Sequence, residues 1–244
     1  MKLKKSLGQH ILKSTDILKK IVDYADIQEG EVVVEIGPGL GALTKFLLEK
    51  PLKKLYLLEI DKEMVDILKK DIIDERLVII HTDARYFNYR VFEERSLKVL
   101  GNLPYNVASI IVENVVYYFD IVPSCFFLVQ KEVAEKWHSG KSWLSVFIRT
   151  FYDINYLMSI PPRFFYPPPK VDSALIQLNR NLKKEIKDLK EFKKFLTLLF
   201  QMKRKMLRKK ISLEILRRAQ INEELRVDEL SLEEILRLYE AWRD

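Results

Sequence analysis

A chain of 244 residues with 48% apolar side chains can fill one large core, or one domain with a smaller appendage. Its one cysteine, Cys125, excludes an intramolecular disulfide and a cysteine-built zinc cluster, so no metal is expected. No apolar stretch is long enough to cross a bilayer and the first residues lack a signal-peptide core, so a cytoplasmic protein with no membrane partner is expected; a net charge of +7 favours a polyanion.

In chain order, residues 2–13 read as a basic, irregular arm that carries Lys4 and Lys5 and ends in Gly8-Gln9-His10-Ile11-Leu12. A polar arm containing glycine can fold over a ligand; a solvated tail is the alternative. Ser14-Thr15-Asp16 caps a helix that starts near Ile17. Glu31-Val32-Val33-Val34-Glu35-Ile36 has the continuous β-branched character of a strand buried on both faces of a parallel sheet. It empties into Gly37-Pro38-Gly39-Leu40-Gly41, followed by a helical pattern from Ala42 to Glu49. Strand, glycine-rich turn and helix form the first half of a nucleotide-binding βαβ unit, although a plain tight turn uses the same glycines.

The second strand, 54–60, carries Glu59 twenty-two positions after Gly37. A carboxylate at that place can accept hydrogen bonds from both hydroxyls of a ribose. Acidic residues open the helix that follows at Asp61. A third run, 77–82, reaches Asp83-Ala84, where the carboxylate suits an adenine amino group or, alternatively, a turn cap. The fourth strand, 97–101, leads into Asn102-Leu103-Pro104-Tyr105. Asparagine offers an acceptor oxygen and a donor nitrogen, proline stiffens the turn, and tyrosine presents a flat face; together they suit the exocyclic amine of a nucleobase. A helix over 106–118, a fifth strand over 125–130 with Cys125 in the core, and a helix over 131–138 follow.

Five such alternations predict an α/β, doubly wound, mostly parallel sheet with ligands at the C-terminal strand ends, where Glu59, Asp83 and Asn102 all fall. A helical segment at 143–151 precedes two β-like runs, 153–160 and 171–178, expected as an antiparallel pair at the end of the sheet. Between them, five prolines in 161–170 hold Phe164, Phe165 and Tyr166 in a stiff loop, ready for a ligand or packed on the core. Strand patterning stops after Arg180, so the reading divides the chain into a domain over 1–181 and a small all-α domain over 182–244. From Asn181 to Arg218 there are fourteen Lys/Arg against four Asp/Glu, a local excess larger than that of the whole chain. Lys203, Arg204, Lys205, Arg208, Lys209 and Lys210 supply six of eight consecutive residues, favouring polyanion contact over a merely solvated helix face.

The motifs Gly8-Gln9-His10-Ile11-Leu12, Glu35-Ile36-Gly37-Pro38-Gly39-Leu40-Gly41, Glu59-Ile60-Asp61, Asp83-Ala84, Asn102-Leu103-Pro104-Tyr105 and Phe165-Tyr166-Pro167-Pro168-Pro169-Lys170-Val171-Asp172-Ser173 occur in this order. As an ordered set they resemble the KsgA/Dim-type ribosomal RNA adenine dimethyltransferases, relatives of the Erm resistance methyltransferases. His10 stands where many members have asparagine. The resemblance implies a Rossmann-like fold and an S-adenosylmethionine-dependent enzyme. Its reaction is N6,N6-dimethylation of two adjacent adenosines in a hairpin near the 3′ end of small-subunit (16S) rRNA. It further implies cofactor contacts from Gln9, His10, Leu12, Gly37, Gly39, Glu59, Ile60, Asp83, Ala84 and Asn102, and a pre-30S particle as partner of a monomer. An Erm-like enzyme of the large subunit and a non-catalytic RNA-binding assembly or transcription factor are the alternatives. In this reading the Asn102 side-chain oxygen and the Leu103 carbonyl accept the two N6 protons, and Pro104 sets the turn. Tyr105 and Phe165 hold the base, and the six basic tail residues with Lys4 and Lys5 bind RNA phosphates.

Overall fold

The computed structural model describes residues 10–181 and 186–243, so Lys4, Lys5 and Gln9 lie outside the described residues. The short strand β1 (Ile11–Leu12) precedes α1 (Thr15–Ala25), which Ser14 caps through its side chain. Then come β2 (Val32–Ile36), α2 (Ala42–Leu48), β3 (Lys54–Glu59), α3 (Lys62–Asp71) and β4 (Leu77–His81). They are followed by β5 (Lys98–Asn102), α4 (Ala108–Val116), β6 (Ser124–Gln130), α5 (Lys131–His138) and α6 (Trp143–Phe151). The rest comprises β7 (Tyr152–Ile160), β8 (Phe165–Tyr166), β9 (Ser173–Arg180), α7 (Leu189–Phe200), α8 (Leu213–Arg218) and α9 (Leu232–Arg243).

The sheet runs β4-β3-β2-β5-β6-β9-β7. Its centre is β2, all five residues of which are buried, as four apolar side chains beside Glu35 require of a strand covered on both faces. β2 pairs in parallel with β3 on one side and β5 on the other, Val34 facing Tyr56 and Val99. Strand order reverses between these neighbours, opening a crevice beyond the strand ends, where α/β sheets bind ligands. The expected antiparallel end is β9, which runs against β6 with Phe127 opposite Ile176, and β7 lies outermost. No helix among the described residues is long and apolar enough to cross a membrane.

Two local expectations change. The arm is not irregular to its end, because β1 pairs with β8, Leu12 opposite Phe165 and Ile11 opposite Tyr166. The basic run is not a continuous helix: Lys203 and Arg204 lie in a turn, Lys205 in a bend and Met206 in an isolated bridge, followed by a single 3-10 turn, Leu207–Lys209. Met206 bridges Arg226, and the Leu207 amide donates to the Leu225 carbonyl, so the backbone is drawn out of helical register.

The described residues divide into two compact units, one reaching to Ala134 and resuming over Ile154–Arg180, the other comprising Glu135–Asp153 and the residues from Asn181 onward. The second unit therefore takes in a segment that the sequence reading assigns to the first domain. Its reason is aromatic packing: Phe147 and Phe151 of α6 lie 6.1 and 6.4 Å from Phe192 of α7. In the same unit Tyr239 of α9 stands 4.8 Å from Phe192. The amphipathic pattern of α6 shows that one face is buried and says nothing of which core receives it.

Candidate active site

Beyond β2 the chain turns at Gly37, Gly39 and Gly41 with φ of 66°, 57° and 77°, values that L side chains rarely adopt. At the end of β5, Gly101 is required for a different reason. A Cβ there would stand 2.8 Å from the Ile36 carbonyl oxygen and 2.9 Å from Leu103, so only glycine lets the two strand ends approach. The two turns border a cleft of about 220 Å³ that reaches from the glycine loop to Tyr105.

Two carboxylates line its inner wall. Glu59 is 4% exposed and accepts from the Gly39 and Asp61 amides at 3.1 and 2.9 Å. Burial raises its carboxyl above the usual range, opposed by those two amides. Glu35, 2% exposed, accepts from the Thr44 hydroxyl at 2.7 Å. Burial pushes it up to about 8; the Thr44 hydrogen bond opposes the shift and the nearby Glu59 charge adds to it. Further along, Asp83 is gripped by Arg85, whose Nη2 donates at 2.6 Å and whose Nε donates at 2.9 and 3.0 Å. The hydrogen bonds from the guanidinium hold this carboxyl below the usual range.

The outer end is built on the turn after β5. The Leu103 amide donates to the Leu128 carbonyl at 3.0 Å, and the Val107 amide closes the turn on the Pro104 carbonyl. Asn102 Nδ2 donates to the His10 backbone carbonyl at 2.7 Å, which turns Oδ1 away from the arm as the amide's acceptor. The His10 ring stacks on Tyr105 with centroids 5.4 Å apart, and its Nδ1 donates to the Pro167 carbonyl at 2.7 Å. The phenol of Tyr105 is hydrogen-bonded to Ser173, a fully buried serine of β9, and this tether fixes the direction of the ring. Arm, asparagine turn and proline-rich segment thus converge on one aromatic face.

Of the residues expected from sequence, His10, Leu12, Gly37, Gly39, Glu59, Ile60, Asp83, Ala84, Asn102, Leu103, Pro104 and Tyr105 all line this cleft. Phe165 does not. It is 1% exposed within the core cluster that contains Leu12, Leu128 and Leu175, because strand alternation sends Phe165 inward and Tyr166 outward. Tyr166 is 60% exposed, with the Lys13 ammonium 5.4 Å from its ring centroid. In the other unit, Lys203, Arg204, Lys205, Arg208 and Lys209 are exposed, Arg208 with Glu224 at 3.4 Å, whereas the half-buried Lys210 donates from Nζ to the Leu199 carbonyl at 3.0 Å. Sequence reasoning assigned no role to Glu35, Thr44, Arg85 or Ser173. Glu35 did carry a signal, being a charged residue inside an otherwise apolar buried strand. Among the described residues, no group of three or more His, Cys, Asp or Glu is placed to hold a metal ion.

A mostly parallel sheet with acidic side chains at consecutive strand ends, and an Asn-Leu-Pro-Tyr turn at the mouth of the same cleft, define a Rossmann-like nucleotide-cofactor fold of the kind methyltransferases use. A sequence profile for ribosomal RNA adenine dimethylases matches residues 1–244, and the chain belongs to that family. It is 43% identical to the ribosomal RNA small subunit methyltransferase A of Sulfurihydrogenibium sp. (strain YO3AOP1), over 98% of this chain and 96% of that one. The crystal structure of a dimethyladenosine transferase from Plasmodium falciparum superposes with a TM-score of 0.80 at 24% identity, covering 93% of this chain and 95% of that chain. The 23S rRNA methyltransferase ErmE does so with a TM-score of 0.70 at 23% identity, covering 96% of this chain and 100% of that one. At those identities the two structures speak to the fold alone.

Proposed function

We propose that the protein transfers methyl groups from S-adenosylmethionine to N6 of adenosine and dimethylates two adjacent adenosines near the 3′ end of small-subunit rRNA. The observation that carries this reading is the orientation of Asn102, whose amide nitrogen is committed to the His10 carbonyl and whose oxygen remains as an acceptor in the cleft that Tyr105 also lines. Residues of the cleft fit the cofactor: Glu59 is placed for ribose hydroxyls, and Asp83, sharing its charge with Arg85, for an adenine amino group. When bound, S-adenosylmethionine supplies an already activated sulfonium methyl group.

Adenine N6 is a poor nucleophile because its lone pair is delocalised into the ring. Asn102 Oδ1 and the Leu103 carbonyl accept hydrogen bonds from its two N–H groups, favouring a pyramidal nitrogen whose lone pair points along the cleft, and the proton that N6 sheds at each methylation passes to water. Tyr105 stacks on the extruded base with the ring face turned away from His10, worth roughly 1–3 kcal/mol, which offsets the few kcal/mol lost on unstacking. Tyr166, rather than the enclosed Phe165, is the exposed aromatic of the proline-rich segment available to RNA. Phosphate contacts come from the exposed basic turn around Lys203, Arg204 and Lys205. The partner is an assembling small subunit in the cytoplasm, met by a monomer.

The name of the 43% identical relative favours the small subunit over the large. Incubation with labelled S-adenosylmethionine and undermethylated 30S or 50S subunits, followed by mapping of the modified bases, tests the choice. Two adjacent dimethyladenosines in 30S rRNA are expected. Label confined to 50S rRNA would overturn the reading in favour of an Erm-like enzyme.

A further inference from the structure

Glu35 is a carboxylic acid buried in the wall of the cleft, with no cation beside it among the described residues. Its hydroxyl partner Thr44 is itself fully buried and comes from α2, while α1 brings only Leu18 and Ile21 to this wall. From β3 it faces Glu59, whose own neighbour is Asp61 at the cap of α3. Among the described residues, the basic side chains lining the cleft are His10 on the arm and Arg85, and the guanidinium of Arg85 is already spent on Asp83. β5 contributes the neutral amide of Asn102. Two acids are therefore crowded at the end of the central strands, where burial and like charge both favour a proton on Glu35.

We propose that Glu35 is a proton-linked counter-ion of this cleft, neutral in the free protein and ionised when a sulfonium-bearing ligand is bound. The inference rests on the reading of the cleft as a methyl-donor site. A sulfonium carries a formal positive charge into a low-dielectric wall, where a nearby carboxylate is stabilised far more than it would be in water. Binding then releases the Glu35 proton to the buffer. After methyl transfer the sulfur is an uncharged thioether, so the carboxylate loses its partner and takes a proton back. Glu35 would thus separate donor from spent product by charge, in a cleft whose other contacts, to ribose and adenine, are the same for both. Consistent with this, burial pushes the Glu35 carboxyl up to about 8, which favours the protonated form at neutral pH.

Isothermal titration of the full chain at pH 7 in two buffers of different ionisation enthalpy measures the protons exchanged. S-adenosylmethionine should release close to one proton and S-adenosylhomocysteine markedly fewer. Affinity for the sulfonium should rise by up to about tenfold per pH unit below pH 8. Glu35→Gln, which keeps an acceptor for Thr44, should abolish the release and narrow the preference between the two ligands, and Glu35→Asp should restore it. Equal proton release for the two ligands, or release unchanged in Glu35→Gln, would overturn this inference while leaving the methyltransferase reading intact. Failure of both ligands to bind would overturn that reading and this inference with it. The two-ligand comparison on the unmodified protein stands even where a variant fails to fold.

Discussion

The Asn102 side chain donates to the backbone carbonyl of His10 at 2.7 Å, joining the turn after β5 to a segment 92 positions earlier. This one bond fixes which end of a symmetric-looking amide is left as an acceptor, and it ties Asn102 to the segment His10-Ile11-Leu12 that lines the same cleft.

Asn102→Asp tests that relationship, since it keeps an acceptor and removes the donor. A carboxylate facing the His10 carbonyl is repelled from its position, and kcat should fall on the order of 10²–10³-fold, the loss typical of one misplaced polar group at a reacting centre. Full activity in this variant would show that the orientation is unimportant. Asn102→Ala should slow the first methyl transfer more than the second in single-turnover assays, because a monomethylated amine has one proton left to be accepted. Equal losses in both steps would count against a two-acceptor arrangement.

Phe165 and Tyr166 are adjacent in sequence and should respond in opposite ways. Phe165→Ala empties a fully enclosed position and should lower unfolding stability by about 3–5 kcal/mol in urea titrations. Tyr166→Ala should leave stability nearly unchanged and weaken RNA binding by roughly 1–3 kcal/mol if the ring stacks on a base. A Tyr166→Ala protein with undiminished RNA affinity would remove this ring from the RNA surface.

The basic run should also divide. Reversing the charge of Lys203, Arg204 and Lys205 together should weaken RNA binding, flatten its dependence on salt concentration, and leave cofactor affinity alone. Lys210→Met should instead lower thermal stability, because it removes the donor that satisfies the Leu199 carbonyl at the end of α7. Filter binding across a salt series and a melting curve measure the two effects.

Stability should fall as pH rises. Glu35 is raised from its ordinary 4.5 to about 8, so the folded state holds a proton that the unfolded chain has already released across that interval. The contribution is fully present below about 4.5 and is lost as pH passes through about 8, at up to ~1.4 kcal/mol per unit. Glu59 shifts in the same direction. Urea midpoints at pH 5, 7 and 9 should decline for the unmodified protein and less steeply for Glu35→Gln. Parallel slopes would show that the Glu35 proton is not linked to folding.

Much of the site was legible along the chain because it is written in local signals. Apolar runs of five to seven residues marked β2 to β6, and the glycine turn after β2 set the register from which Glu59, Asp83 and Asn102 were found at strand ends. These features depend on side-chain periodicity and turn chemistry, which a few neighbouring residues fix. The tertiary structure decided what depends on distant partners. It chose which of Phe165 and Tyr166 faces inward, through the pairing of β8 with β1. It gave Asp83 to Arg85, Tyr105 to Ser173, and α6 to the aromatic core of the second unit. Pattern shows that a face must be buried or a polar group satisfied, and only packing in three dimensions selects the group that does it. For this protein that distinction falls on Asn102 itself: its place at a strand end follows from sequence, and the direction of its amide follows from His10.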